Sequence, residues 1–410
     1  MNVLVASRPL GDLVEGGKIS YGIVQPGEHD LRGIPIVRVK DVRDGRIETR
    51  DPLRVSEVVS ARHARTVLRG GEVLLSLVGT VGEAAIVPME LGGWNVARAI
   101  AVLRPHGVEA EWLRLCFGLP EVKAFIDGAV NTTVQSTLNL ADLKRVQVPM
   151  PPDGFRIGVI EVVGALDEKI TANRRAESTA RDLSALIFLR LAHGSDSKVA
   201  ARKLGELSSA GALTFGDGYR TKRDELGESG FLIVRVADVE GGEVRRRGPD
   251  FVRREFAKAI GSKAGRVGDI ILTTKGSIGR VAVVRDVSEG VVYSPQICFF
   301  RVYENDLVDR MFLRYWFESQ EFSTQAAHRM DNSDMAPYIN LADIRSLQIS
   351  LPPIERQRDA AEKLSALDQQ LASLLAENRQ LAELRDILLP QLMSGRLRVK
   401  DAEKRVGAVV

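Results

Sequence analysis

The sequence predicts a mixed α/β protein made by tandem duplication: two α/β domains separated by two long, antiparallel, coiled-coil-like helices, with a pseudo-twofold relation between the halves. Three observations carry this. VRVKDVRDGRI at 37–47 returns as VRVADVEGGEV at 234–244, an offset of 197 residues. Each copy holds short β-branched runs bounded by Gly, Pro and Asp, the pattern of strands. Each copy then reaches a Pro-Pro dipeptide, Pro151-Pro152 and Pro352-Pro353, and continues into an apolar stripe of helical period.

The repeat extends along most of the chain. GEVLLSLVGTVGEAAIVP (71–88) meets GDIILTTKGSIGRVAVVR (268–285) at the same offset of 197. TLNLADLKRVQVPMPP (137–152) meets YINLADIRSLQISLPP (338–353) at 201, and NRRAESTARDLSALIF (173–188) meets NRQLAELRDILLPQLM (378–393) at 205. Solenoid repeats have periods of about 20–50 residues, so each copy here is a domain with an added element. The expected boundaries are 1–152 for the first domain, 153–198 for a central helical region, 199–353 for the second domain, 354–397 for a C-terminal helical region and 398–410 for a frayed tail.

Bulk properties exclude several classes. A hydrophobic content of 44% with 27% charged residues suits packed cores in a soluble chain. A net charge of +3 does not by itself argue for nucleic acid. No apolar run approaches the length of a membrane span, and the N-terminus carries no signal-peptide pattern, so the cytoplasm is the expected compartment. Cys116 and Cys298 are too few for a disulfide framework or a zinc site and are expected to be buried thiols.

In the first copy the strands are expected in IPIVRVKDV, EVLLSLVG, AAIVP and AIAVLRP; in the second, in FLIVRVADV, DIILTTKG, RVAVVRD and QICFFRV. EWLRLCFGLPEVKAFIDG and VDRMFLRYWFESQEFSTQAA read as helical. Proline tolerates a helix starting just after it, and helices are expected at about 157–191 and 355–389. The seam is expected at Leu166, Ile170 and Asn173 in the first helix and at Leu367, Leu371, Leu374, Asn378 and Leu381 in the second. Such a stripe must be buried, and the obvious partner is the other copy. Asn173 and Asn378 either fix the register of the pair or face a wet edge of it. Pro390 is expected to end or kink the second helix. The change of offset from 201 to 205 adds four residues to that helix, about 6 Å of rise. Two domains on an antiparallel pair suit a reader of two DNA half-sites, and the extra turn is expected to bias the gap between them.

The order of a globular unit, an INLADI segment, LPPIERQ and then LDQQL…AENRQLAELRDILLPQLMSGRL resembles the DNA-specificity subunit of type I restriction–modification systems. The first copy supplies ALDEKITANRRAESTARDLSALIF, and LVGTVGEAAIV and TKGSIGRVAVV are similar to blocks of the family's target-recognition domains. The first copy departs from the pattern after Pro152, where it reads DGFRIGVI against IERQRDAA. The resemblance implies two target-recognition domains that each read one half of a split, asymmetric site in double-stranded DNA. It further implies helices that dock two DNA adenine methyltransferase subunits, joined by restriction subunits. S-adenosylmethionine, ATP and Mg would be held by those partners, with no cofactor and no metal on this chain.

The residues themselves carry no catalytic signature. Neither Pro-Pro site (MPPD, LPPI) forms the Asn/Asp-Pro-Pro-aromatic tetrapeptide of an amino-methyltransferase, no phosphate loop is present, and the histidines lack metal spacing. A non-catalytic DNA reader is therefore expected over a modification enzyme in its own right. The alternative is a protein-interaction scaffold that has lost DNA specificity. Favouring DNA, 245–266 holds eight Lys/Arg against two acids, and 32–69 holds ten against five. The candidate contacts are Arg43, Arg46, Arg62 and Arg65 in the first domain and Lys222, Arg245, Arg246, Arg247 and Lys275 in the second. Gly79 and Gly82, with Gly276 and Gly279, are expected to make a tight turn between strands. Gln135, Ser136 and Thr137, and likewise Asn332, Ser333 and Asp334, are further loop residues within reach of bases.

Overall fold

The computed structural model describes residues 6–43, 45–130, 137–193, 199–245, 248, 250–330 and 338–409. The chain divides into two compact units, 1–171 with 379–410, and 172–378. The duplication is therefore real at the level of fold, but the units interleave in sequence. Each of the two long helices, Asp153–His193 and Ile354–Met393, contributes one stretch to each unit.

Unit 1 is built on an antiparallel four-stranded sheet in the order 20–21, 100–103, 73–76, 84–86. VLLS and IAVL are buried along their whole length, which is why these runs are apolar without alternation. A second sheet sets 34–37 antiparallel to 53–55 and parallel to 95–96. Unit 2 repeats the plan. Its sheet runs 213–217, 297–302, 270–273, 281–283, and 231–234 pairs antiparallel with 251–252 and parallel with 291–293. A two-residue-strand hairpin recurs too, at 42–47 and 239–244, closed by glycines of positive φ.

The cores explain the helix seam. In unit 1, Trp112, Leu113 and Cys116 from the short helix Ala110–Cys116 pack with Val159, Val163, Leu166 and Ile170 and with Leu381, Leu388 and Leu392. In unit 2, Phe312 and Trp316 from the helix Arg310–Trp316 pack with Phe188, Ala192, Ala360 and Leu364. Within each unit the two long-helix stretches are in contact: Asp167 meets Arg385 in one, and Asn173 meets Glu377 in the other. Both thiols are buried as expected, and burial pushes each well above its ordinary pKa.

Several expectations require correction. Of the eight seam residues, Leu166, Ile170, Asn173, Leu371 and Leu381 are buried, while Leu367, Leu374 and Asn378 are only half-buried. Next to Leu367 it is Asp368 that turns inward, because Arg285 and Arg314 of its own unit wait there. The helices are longer than expected. The second continues one turn past Pro390 to Met393, with Leu389 and Leu392 buried, and ends where Gly395 adopts φ 70°. The tail is not frayed: Val399–Val406 is a helix whose Ala402 and Val406 lie in the unit 1 core. Its apolar residues, four apart, were too few to mark a helix without their tertiary partner.

The local departure after Pro152 also resolves. In unit 2, Gln357 at the start of the second long helix accepts the Asp309 N–H at 2.9 Å and donates to the Pro352 carbonyl at 2.7 Å. Arg156 stands there in unit 1. It donates to the Pro151 carbonyl at 3.0 Å and forks onto Glu109 at 2.9 and 3.2 Å. That hydrogen bond holds the Glu109 carboxyl below its usual pKa. Two different side chains thus tie each long helix to the start of the preceding short one.

Candidate nucleic-acid interface

The glycine turn is made the same way twice. In unit 1 the Ser76 hydroxyl donates to the Thr80 carbonyl and accepts the Glu83 N–H at 2.9 Å. In unit 2 Thr273 donates to Ser277 and accepts from Arg280 at 2.9 Å. Gly79 and Gly82 have φ of 78° and 92°, and Gly276 and Gly279 of 75° and 87°, a region that side chains resist. Beside each turn lies the chain that follows the INLAD-preceding loop. Leu138 N–H reaches the Leu77 carbonyl at 2.9 Å, and Ile339 N–H reaches Thr274 at 3.0 Å. Thr137 bridges Val78, and Tyr338 bridges Lys275. The exposed Lys275 ammonium sits 5.0 Å from the Tyr338 ring centroid, a cation–π contact. Gln135, Ser136, Asn332, Ser333 and Asp334 lie outside the described residues, as do Arg246 and Arg247.

In unit 1 the turn borders a cleft of about 670 Å³ lined by Lys40, Arg43, Val78, Gly79, Thr80, Glu83 and Ala99. The structure therefore brings Arg43 to the glycine turn, which the sequence did not show. At the same offset of 197, unit 2 has Glu240 for Arg43, Arg280 for Glu83 and Lys275 for Val78. Equivalent turns thus carry charges of opposite sign.

The other candidates separate into two groups. Arg62 and Arg65 are exposed on the segment 57–66, which Asn95 clamps from below through Ser60, His63 and Thr66. Lys222 is exposed at the lip of a second cleft, in unit 2. Arg46 and Arg245 are engaged inside their own units. Arg46 donates to the Asp167 carbonyl at 2.8 Å and to the Thr171 hydroxyl on the first long helix. Arg245 pairs with Glu240 at 2.9 Å across the hairpin.

Sequence reasoning passed over Arg220, Arg223 and Arg235, which line the Lys222 cleft. The run RTKRDE at 220–225 was the available signal, outweighed by the denser block at 245–266. It also gave no sign of Ala99, the described non-glycine residue with positive φ (79°). The backbone there is held by Arg98 N–H on the Ile23 carbonyl and Leu77 N–H on the Ala99 carbonyl, both at 2.6 Å. Left-handed backbone costs an L-residue about 1–2 kcal/mol. Ala99→Gly is therefore expected to leave stability unchanged or to raise it by up to about 1 kcal/mol, although glycine ordinarily destabilises. Urea denaturation reads this, and a clear loss of stability would contradict the strain.

Two copies of one mixed-sheet domain, each presenting a rigid turn with unlike charges and each built onto long helices, define a recognition module. Among the described residues no three His, Cys, Asp or Glu side chains group to hold a metal, and no helix is long and apolar enough to cross a membrane. Residues 198–384 match the type I restriction modification DNA specificity domain. That match falls on the second copy of the duplication and its long helix, and the relatives found are specificity subunits of type I restriction–modification systems.

The chain is 29% identical over 152 residues to the type I restriction enzyme EcoBI specificity subunit of Escherichia coli, an alignment covering 37% of this chain and 30% of that one. The MjaVIII specificity subunit of Methanocaldococcus jannaschii is 20% identical over 303 residues, covering 70% of this chain and 71% of its own. The crystal structure of the type I restriction–modification S subunit from M. genitalium superposes with a TM-score of 0.56 at 14% identity, covering 96% of this chain and 97% of that one, and shares the fold.

Proposed function

We propose that the chain is the subunit that reads double-stranded DNA for a type I restriction–modification complex, each unit taking one half of a bipartite, asymmetric site. The observation that carries this is the unlike charge on like turns. Arg43 and Glu83 stand in unit 1 where Glu240 and Arg280 stand in unit 2, on the same backbone plan. A duplicated reader with identical faces suits a symmetric site; unequal faces suit two different half-sites. The long helices set the gap between the halves and dock two adenine methyltransferase subunits, through which restriction subunits join. Leu183, Leu186 and Leu189, an exposed apolar row at helical spacing on the first long helix, support such docking. S-adenosylmethionine, ATP and Mg belong to those partners, and the complex works where cytoplasmic DNA is.

Methylation mapping in a host carrying this chain and its cognate modification subunit tests the reading. The expected result is methylated adenine within a two-part site whose halves differ. Methylation without a split sequence preference, or none at all in a complex that assembles, leaves only a protein scaffold.

A further inference from the structure

We propose that the unit 2 cleft lined by Arg220, Lys222, Arg223 and Arg235 is a phosphate-binding site with no counterpart in unit 1, so that unit 2 supplies more of the electrostatic hold on DNA. This rests on the DNA-reading function above and assigns the phosphate to the duplex backbone.

The cleft has a volume of about 310 Å³ and is completed by Thr221, Leu226, Ile233, Ser294 and Pro295. Among the described residues no carboxylate pairs with Arg220, Lys222 or Arg223, and all three are exposed. Arg235 pairs with the half-exposed Asp250 at 2.6 Å. The acids in the same run do not neutralise the group by contact. Glu225 is buried beneath it, where it accepts the Tyr219 hydroxyl at 3.0 Å and the Lys222 backbone N–H at 2.9 Å. Asp224 is exposed, and its carbonyl accepts Arg253 at 2.6 Å. The second observation is independent of charge. Ser294 is 6% exposed, lines the cleft, and its hydroxyl has no hydrogen-bond partner among the described residues. Buried hydroxyls are nearly always paired, so an unpaired one beside four cations fits a site whose acceptor is absent.

Among the described residues unit 1 lacks this arrangement. Its chain leaves the sheet at Gly22 as unit 2 does at Gly218, since both pack against the same pair of carbonyls on the neighbouring strand end. From there unit 1 reads GIVQPGEHDLRG to Gly33, and unit 2 reads GYRTKRDELGESG to Gly230. The three clustered cations Arg220, Lys222 and Arg223 are replaced by Val24, Pro26 and Gly27. Ala97 replaces Ser294, and Arg98 replaces Pro295. The common cation is paired in both units, Arg38 with Asp41 at 2.8 and 3.0 Å and Arg235 with Asp250 at 2.6 Å, so the difference lies in the other three cations.

Each phosphate contact adds about 0.9 to the slope of log affinity against log salt. The triple variant Arg220→Gln/Lys222→Gln/Arg223→Gln, assembled with its methyltransferase subunits on a duplex carrying the mapped site, is expected to lose about two to three units of that slope. Its ratio of cognate to single-mismatch affinity is expected to stay unchanged, because phosphates position the protein and do not specify sequence. Ser294→Ala is expected to keep the thermal midpoint and to weaken binding about threefold to tenfold. An unchanged slope in the triple variant, with wild type binding normally, overturns this inference alone. Failure of the wild-type complex to bind duplex overturns the DNA-reading function as well. Calorimetric titration with inorganic phosphate separates the sources: saturation lost in the variant while the duplex slope stays the same assigns the cleft to a free anion and overturns the backbone assignment.

Discussion

Asp269→Ala is expected to destabilise unit 2 by about 3–5 kcal/mol, the cost of removing one partner from a buried ion pair. Asp269 is 1% exposed. Its two oxygens accept Arg301 Nε at 2.8 Å and Nη2 at 2.7 Å, the Tyr293 hydroxyl at 2.8 Å and the Arg266 N–H at 2.9 Å. Alanine leaves a buried guanidinium with only the Ser262 and Ala264 carbonyls and leaves the Tyr293 hydroxyl without its acceptor. Burial, reinforced by the Asp269 charge, pushes the Tyr293 pKa far up, so in the native unit this hydroxyl stays protonated and donates to Asp269. In calorimetry the unit 2 transition is expected to fall by roughly 6–20 °C, at about 2–4 °C per kcal/mol for a domain of this size. The unit 1 counterpart is Glu72, whose oxygens accept the Arg69 and Gly70 N–H groups at 2.8 Å while Arg104 stands at 3.6 Å. Glu72→Ala is accordingly the milder change. Equal losses in the two units would contradict the account.

Asp368→Ala is expected to cost about 2–4 kcal/mol and to loosen the second long helix from the globular part of unit 2. Asp368 is 8% exposed and receives Arg285 at 2.9 Å and Arg314 at 3.3 Å. The Arg314 side chain is 2% exposed and keeps Glu318 at 3.2 Å, which sets the upper limit on the loss. Hydrogen exchange along 354–378 is the direct measurement. Faster exchange there, with 100–103 unaffected, is the expected result, and uniform protection would sink it. Unit 1 has the same device: Asp167 receives Arg114 at 2.5 Å and Arg385 at 3.1 Å. Arg114 and Arg314 occupy matching positions in AEWLRLC and RMFLRYW, so the pair was present in the sequence twice without being readable as a pair.

That example marks the boundary of what could be read. The glycine turns were legible because a strand–GxxG–strand spacing demands a reversal wherever it occurs, and Gly79, Gly82, Gly276 and Gly279 all took positive φ. The cations were less legible. Arg43 and Arg46 face each other across one hairpin, yet one lines a cleft and the other is held by Asp167 and Thr171, 121 and 125 residues away. Nothing local distinguishes a guanidinium with a distant partner from one without.

The sequence by itself determined the duplication, the strand runs, the Pro-Pro entry into each long helix and most of the buried seam, because periodicity and turn chemistry act between near neighbours in the chain. Only the tertiary structure decided which stretch of each helix belongs to which unit, that Asp368 rather than Leu367 turns inward, that the C-terminal tail is a packed helix, and that Arg220, Lys222, Arg223 and Arg235 share one cleft. Those outcomes depend on groups brought close by folding, and the field or contact a side chain meets there is not encoded in the residues beside it.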